Sequence, residues 1–126
     1  MKLSTHNLLV CNKNTCINNE KNYPLIIKAS KVNTVKSDFD EEKTKLFFDK
    51  MNKKALNEGC KDLNISKFDL EKIKEEQMQD KNVLEYLHNI LFEVEIEEGN
   101  LVCANCGREY MIKRGIPDMV FKDDEI

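Results

Sequence analysis

Apolar and polar positions alternate with two different periods along this chain, and the switch between them divides it into three regions. From Leu3 to Val10 the chain is mostly apolar, and Tyr23-Pro24-Leu25-Ile26-Ile27-Lys28-Ala29 is extended in character. Val32 to Val35 follows, with β-branched residues at Val32, Thr34 and Val35. All of these runs read as strands. At Ser37-Asp38 the character changes. Asp38 and Glu41 have the spacing of a capping box, with Asp in place of Ser or Thr. Phe47, Phe48, Met51 and Ala55 then share one helical face, and Gly59 reads as an interruption or end. Residues 61–80 are polar, with a short helix expected around Leu70 to Gln77. From Asn82 the helical period is clear: Val83, Leu87, Ile90 and Leu91 fall on one face.

The period then drops to two. Phe92-Glu93-Val94-Glu95-Ile96-Glu97 alternates apolar and acidic residues, the pattern of a half-buried strand. Glu98-Gly99-Asn100 reads as a turn, and Leu101-Val102 leads into a pair of cysteines. Glu109 to Lys113 predicts a further strand, Arg114-Gly115 a turn, and Ile116 to Phe121 a last strand. Pro117 has no N–H to donate, so that strand belongs at an edge. The layout is β at both ends and helical between.

Four of the five cysteines change this picture most. Cys11 and Cys16 form one pair, Cys103 and Cys106 another, and most of the chain lies between them. Cys-x-x-Cys followed by Gly107 is the signature of a zinc knuckle, in which two thiolates three residues apart grip one ion. Cys11-x4-Cys16 is a looser version. Together they supply four thiolates, a closed tetrahedral set for a structural Zn²⁺ with no position left for water or substrate. An ion bound by both pairs would bring the two ends of the chain together. The spacing leaves a dithiol redox pair, an iron–sulfur cluster and two disulfides as alternatives. Redox fits less well, because that motif opens a helix and this one lies between strands. Cys60 reads as a buried spectator. His6 and His88 lack the spacing of a metal pair, and His88 reads as structural.

Composition sets the outer bounds. The 126 residues are 40% hydrophobic and 34% charged with net charge −3, which suits one soluble globular unit. The charge balance does not favour a nucleic-acid binder, although Arg108, Lys113 and Arg114 beside the knuckle keep a zinc-ribbon nucleic-acid-binding module as the alternative. No apolar run approaches a membrane span or a signal peptide, so no membrane partner is expected and the chain is placed in the cytoplasm and nucleus. There thiols stay reduced. Phosphate-binding loops, nucleophile elbows and a plausible Cys–His pair are all missing from the sequence, which argues against an enzyme working alone. Apolar residues at both termini, Leu3, Leu8, Leu9 and Val10 and then Ile116, Met119, Val120 and Phe121, form a candidate docking surface beside an edge strand.

Several blocks resemble one family: Met1 to Leu9, Tyr23-Pro24-Leu25, Leu87-His88-Asn89-Ile90-Leu91 leading into Glu93 to Gly99, and Gly115-Ile116-Pro117-Asp118-Met119. The chain is similar over its whole length to the small zinc-ribbon activator subunit shared by several eukaryotic methyltransferases, although residues 61–80 match poorly. The resemblance implies an α+β fold. A zinc-ribbon-like antiparallel β domain is built from both chain ends, 1–37 plus 92–126, with a small helical domain, 38–91, inserted. It implies a non-catalytic subunit with no methyl-donor site of its own. Such a subunit binds S-adenosylmethionine-dependent catalytic subunits one at a time and keeps them soluble and active. S-adenosylmethionine would be held only by the partner, and RNA would be met only through the complex. The clients in that family methylate tRNA, small-subunit ribosomal RNA and a glutamine of the translation termination factor. The expected metal ligands are Cys11, Cys16, Cys103 and Cys106. The expected partner interface is Leu3, Thr5, Leu8, Leu9, Ile116, Pro117, Met119, Val120 and Phe121, engaged by strand pairing and apolar contacts.

Overall fold

The fold is that of a computed structural model describing residues 1–120, with Phe121 of the expected interface outside the described residues. Four antiparallel strands form one sheet in the order β1 (Ile26–Thr34), β2 (Val94–Val102), β3 (Glu109–Lys113) and β4 (Ile116–Pro117). The long central pairing joins β1 from the N-terminal part to β2 from the C-terminal part, with Ile27 opposite Leu101 and Thr34 opposite Val94. The helices are α1 (Leu3–His6), α2 (Glu41–Lys50), α3 (Lys53–Asp62) and α4 (Lys81–His88). The α+β class and the mainly helical middle agree with the pattern in the sequence.

The helical segment and the sheet share one hydrophobic cluster. Leu56, Cys60, Leu70, Val83, Leu87, Ile90 and Leu91 pack with Leu3, Leu25, Ile27, Ile96, Leu101, Tyr110 and Ile112. Val83, Leu87, Ile90 and Leu91 are all buried, as their helical spacing predicts.

The structure corrects several expected elements. Leu3 to Val10 is not a strand. Leu3–His6 forms a turn of helix whose Leu3 and His6 are buried, and the chain then turns away toward the first cysteine pair. The cap of α2 is Asp40 rather than Asp38, its side chain accepting from the Lys43 N–H at 3.0 Å. The face shared by Phe47, Phe48, Met51 and Ala55 is broken at Met51-Asn52. The Asn52 side chain caps α3 by accepting from the Ala55 N–H, and its backbone is tied to Asn7. Gly59 neither ends nor interrupts α3. A Cβ there would lie 2.9 Å from Leu3 Cδ2 and 3.4 Å from His6 Nδ1, so the glycine lets α1 approach α3 closely. The helix expected around Leu70 to Gln77 is a series of turns ending in a 3₁₀ turn, Gln77–Gln79.

The last helix ends in a π-helical turn, Asn89–Glu93, which absorbs Phe92 and Glu93 before β2 begins. Glu98-Gly99-Asn100 is not a turn but the middle of β2, where the pairing with β1 shifts register at Ala29–Lys31–Val32. The last strand pairs only over Ile116–Pro117. Beyond it the Asp118 N–H still reaches the Met111 carbonyl at 2.8 Å, but the Val120 N–H turns to the Asp118 side chain at 3.0 Å. Pro117 cannot donate and Asp118 offers a local acceptor, so the ladder stops.

Candidate metal centre and docking cleft

The two cysteine pairs meet at the end of the sheet. Cys103 directly follows β2 and Cys106 begins the return toward β3, so the second pair spans the β2–β3 connection. Within it the Gly107 N–H donates to the Cys103 carbonyl at 2.9 Å and the Cys103 N–H to the Arg108 carbonyl at 3.0 Å. Gly107 has φ +76°, a conformation that glycine adopts without strain. The first pair lies on a turned loop, where the Cys11 N–H donates to the Asn22 carbonyl at 3.0 Å.

All four sulfurs lie within 4.8 Å of one another. Cys11 and Cys106 are 3.9 Å apart at Sγ, and Cys16 and Cys103 are 3.8 Å apart. A disulfide needs about 2.05 Å, and all five cysteines are free. Four sulfurs at ~2.3 Å around a tetrahedral ion would be about 3.8 Å from each other. The donor set and its spacing therefore fit a metal ion. Cys11, Cys16 and Cys103 are buried while Cys106 reaches the surface.

Three side chains approach these sulfurs, the most distant being Thr15, whose Oγ1 lies 3.8 Å from Cys16 Sγ. Tyr110 Oη donates to Cys11 Sγ at 2.9 Å, and Asn105 Nδ2 donates to Cys16 Sγ at 3.1 Å. The Asn105 bond is the main cause that draws the Cys16 thiol down to about 7. Neither residue stands out in the sequence by composition. The available signals are that Asn105 lies inside the knuckle and that Tyr110 shares the inward face of β3 with Ile112. Cys60 is fully buried, and burial pushes its thiol up to about 11, which suits an inert core residue.

The histidines are engaged elsewhere. His6 Nε2 donates to the Leu25 carbonyl at 2.6 Å, linking α1 to the chain entering β1. His88 Nε2 lies 3.1 Å from Ser37 Oγ, 3.2 Å from the Ser37 carbonyl and 3.8 Å from Glu93 Oε2. Serine and carboxylate thus crowd the same ring nitrogen, whereas a catalytic triad places them on opposite nitrogens. Phe39 and Phe92 flank the ring. This cluster anchors the β1–α2 connection on the end of α4.

The expected interface residues separate into groups. Leu3 is fully buried against α3 and belongs to the core, because α1 folds inward. Thr5 is exposed, Leu8 is 78% exposed, and Leu9 packs partly on the core. Ile116, Pro117, Met119 and Val120 line a cleft of about 460 Å³ together with Met111, Lys113 and Asp118. Ile116 and Val120 are 70% and 76% exposed. Thr5, Leu8 and Leu9 are not among the residues that line this cleft. Among the cations considered for nucleic acid, Arg108 is turned inward, its guanidinium 4.1 Å from the Tyr110 ring centre and donating to the Val120 carbonyl at 3.2 Å. Lys113 and Arg114 are exposed. Among the described residues no helix is long and apolar enough to cross a membrane.

Known proteins are similar to this chain in architecture and in sequence. The family model described as Trm112p-like protein matches residues 2–115. The multifunctional methyltransferase subunit TRM112 homolog A of Arabidopsis thaliana is 34% identical over 127 residues, spanning 100% of both chains. The multifunctional methyltransferase subunit TRM112-like protein of Mus musculus is 33% identical, spanning 99% of this chain and 98% of its own. A chain from the solved E. cuniculi Mtq2–Trm112 complex, responsible for the methylation of the eRF1 translation termination factor, has the same fold. Its TM-score is 0.56 at 22% identity, with 95% of each chain covered. By length, sequence and fold, this chain belongs to the Trm112p-like family.

Proposed function

We propose that this chain is a non-catalytic, zinc-stabilised subunit that binds and maintains methyltransferase catalytic subunits. The observation that carries the reading is the apolar cleft beside the terminal strand β4, on a chain whose full-length relatives are named multifunctional methyltransferase subunits. A strand at the end of a sheet presents backbone groups to a partner strand, and such pairing tolerates varied partner sequences. Ile116 and Val120 would supply apolar contact, each worth about 1.5–3 kcal/mol when fully buried. Leu8 and Thr5 would extend the contact outside the cleft.

The clients would use S-adenosylmethionine bound in their own sites and act on tRNA, small-subunit ribosomal RNA and the translation termination factor. Sharing one surface, they would exclude one another, and RNA would be met through the complex. The four thiolates of Cys11, Cys16, Cys103 and Cys106 would hold one structural Zn²⁺, which supplies charge and cross-linking but no open coordination position. The cytoplasm and nucleus, where thiols stay reduced, suit such a site. Co-purification of Ile116→Asp with a client tests the docking surface. The exposed change should leave the fold intact and weaken the complex at least tenfold. Undiminished affinity would remove β4 from the interface.

A further inference from the structure

The geometry points to Tyr110 and Asn105 as positioning residues for the metal, each holding one sulfur of the N-terminal pair by a hydrogen bond from the C-terminal half of the site. This inference rests on the proposed metal centre. Tyr110 is buried on β3 and sends its hydroxyl to Cys11 Sγ at 2.9 Å. Asn105 lies between the two knuckle cysteines and reaches Cys16 Sγ at 3.1 Å. The same amide nitrogen lies 3.4 Å from the Thr15 carbonyl, and its oxygen accepts from Asn19 Nδ2 at 2.9 Å. The bonds join segments 99 and 89 residues apart in sequence.

Their chemistry suits a four-thiolate site. One Zn²⁺ with four thiolates carries a net charge of −2, and donors aimed at sulfur spread that charge. At Cys16 the Asn105 amide is the nearer donor, at 3.1 Å against 3.8 Å for Thr15 Oγ1. The Arg108 guanidinium over the Tyr110 ring polarises the phenol and makes its hydroxyl a stronger donor. Partners of this kind orient the ligands and typically contribute 10–100-fold in metal affinity. Through Asn19 and Thr15, Asn105 also ties the N-terminal loop to the knuckle.

The test uses the full chain and two probes, Zn²⁺ and Co²⁺. Tyr110→Phe removes only the hydroxyl. Asn105→Ala removes the donor at an exposed position, where folding is least at risk. Both should bind one metal ion per chain, release Zn²⁺ to excess chelator 10–100-fold faster, and shift the thiolate-to-cobalt charge-transfer band to lower energy. Asn105→Asp places a carboxylate where the amide stood and should release metal faster than Asn105→Ala. Release rates within twofold of the parent chain with an unchanged cobalt band would overturn the assignment. Equal rates for Asn105→Asp and Asn105→Ala would reject the donor role at Cys16. If the parent chain itself bound neither ion, the metal centre would fail first, a result distinct from either.

Discussion

Single residues with no counterpart in the hydrophobic pattern hold this fold in register. Gly99 is one. It sits in β2 with φ +154°, and a Cβ there would lie 2.4 Å from the Lys28 carbonyl oxygen and 2.8 Å from Ala29 Cα. Both are backbone atoms of the paired strand and cannot rotate away. Gly99→Ala should therefore destabilise the protein by about 1–3 kcal/mol in urea unfolding, by forcing β1 off β2 at the irregular register. His6 is another. Burial lowers its pKa below 6.5, partly opposed by its bond to the Leu25 carbonyl and by the charge of Asp62. Below 6.5 the unfolded chain binds a proton that the native chain refuses. Stability should then fall as the pH drops from 6.5 to the lowered native value, and level off beneath it. His6→Gln keeps an N–H donor for Leu25 without the titration. The difference in unfolding free energy between it and the parent should shrink or reverse between pH 6.5 and 5. A constant difference would place the proton elsewhere. Neither role was legible in the sequence. Gly99 read as a turn because Glu-Gly-Asn is turn chemistry, and only the partner strand shows that it is a close approach.

At the scale of elements, periodic segments were legible and short ones were not. Val83, Leu87, Ile90 and Leu91 specify their face strongly, and α4 with its π-helical extension buries all four. β3 follows its alternation, with Tyr110 and Ile112 inward and Glu109, Met111 and Lys113 outward. The N-terminal run is ambiguous because eight residues, half of them apolar, fit a strand as well as a helical turn, and the choice is made by a distant glycine. Leu3 fits against α3 only because Gly59 has no side chain. Gly59→Val should therefore cost about 1–3 kcal/mol by overpacking, read as a lower denaturant midpoint. β4 is shorter than its apolar run predicts, since Asp118 diverts the Val120 N–H and ends the ladder early. The remaining exposed apolar residues are what a docking element requires. Val120→Asp should leave thermal stability nearly unchanged, because Val120 is already 76% exposed, while weakening a client complex. Equal loss of stability and affinity would make Val120 a core residue instead.

For the whole molecule, the cysteine spacing was the most legible feature, because ligands separated by most of the chain leave few ways to fold. The four sulfurs converge, and the sheet joins the two ends through β1 and β2. Burial was less legible: of the apolar residues at the two ends Leu3 is core while Leu8, Ile116 and Val120 are exposed, since apolar character alone does not distinguish a buried residue from an exposed one. Cys106→Ser should abolish tight metal binding and cost at least about 2 kcal/mol, a fall of roughly 8 °C in Tm. Full metal retention would contradict the four-thiolate site. The central claim concerns partnership, and co-expression measures it directly. The chain should be produced together with, and apart from, a catalytic subunit of its own organism that methylates the translation termination factor. The account predicts a stable 1:1 complex in which the catalytic subunit is more soluble and more active than alone. A catalytic subunit equally soluble and active by itself, with no co-elution, would contradict it.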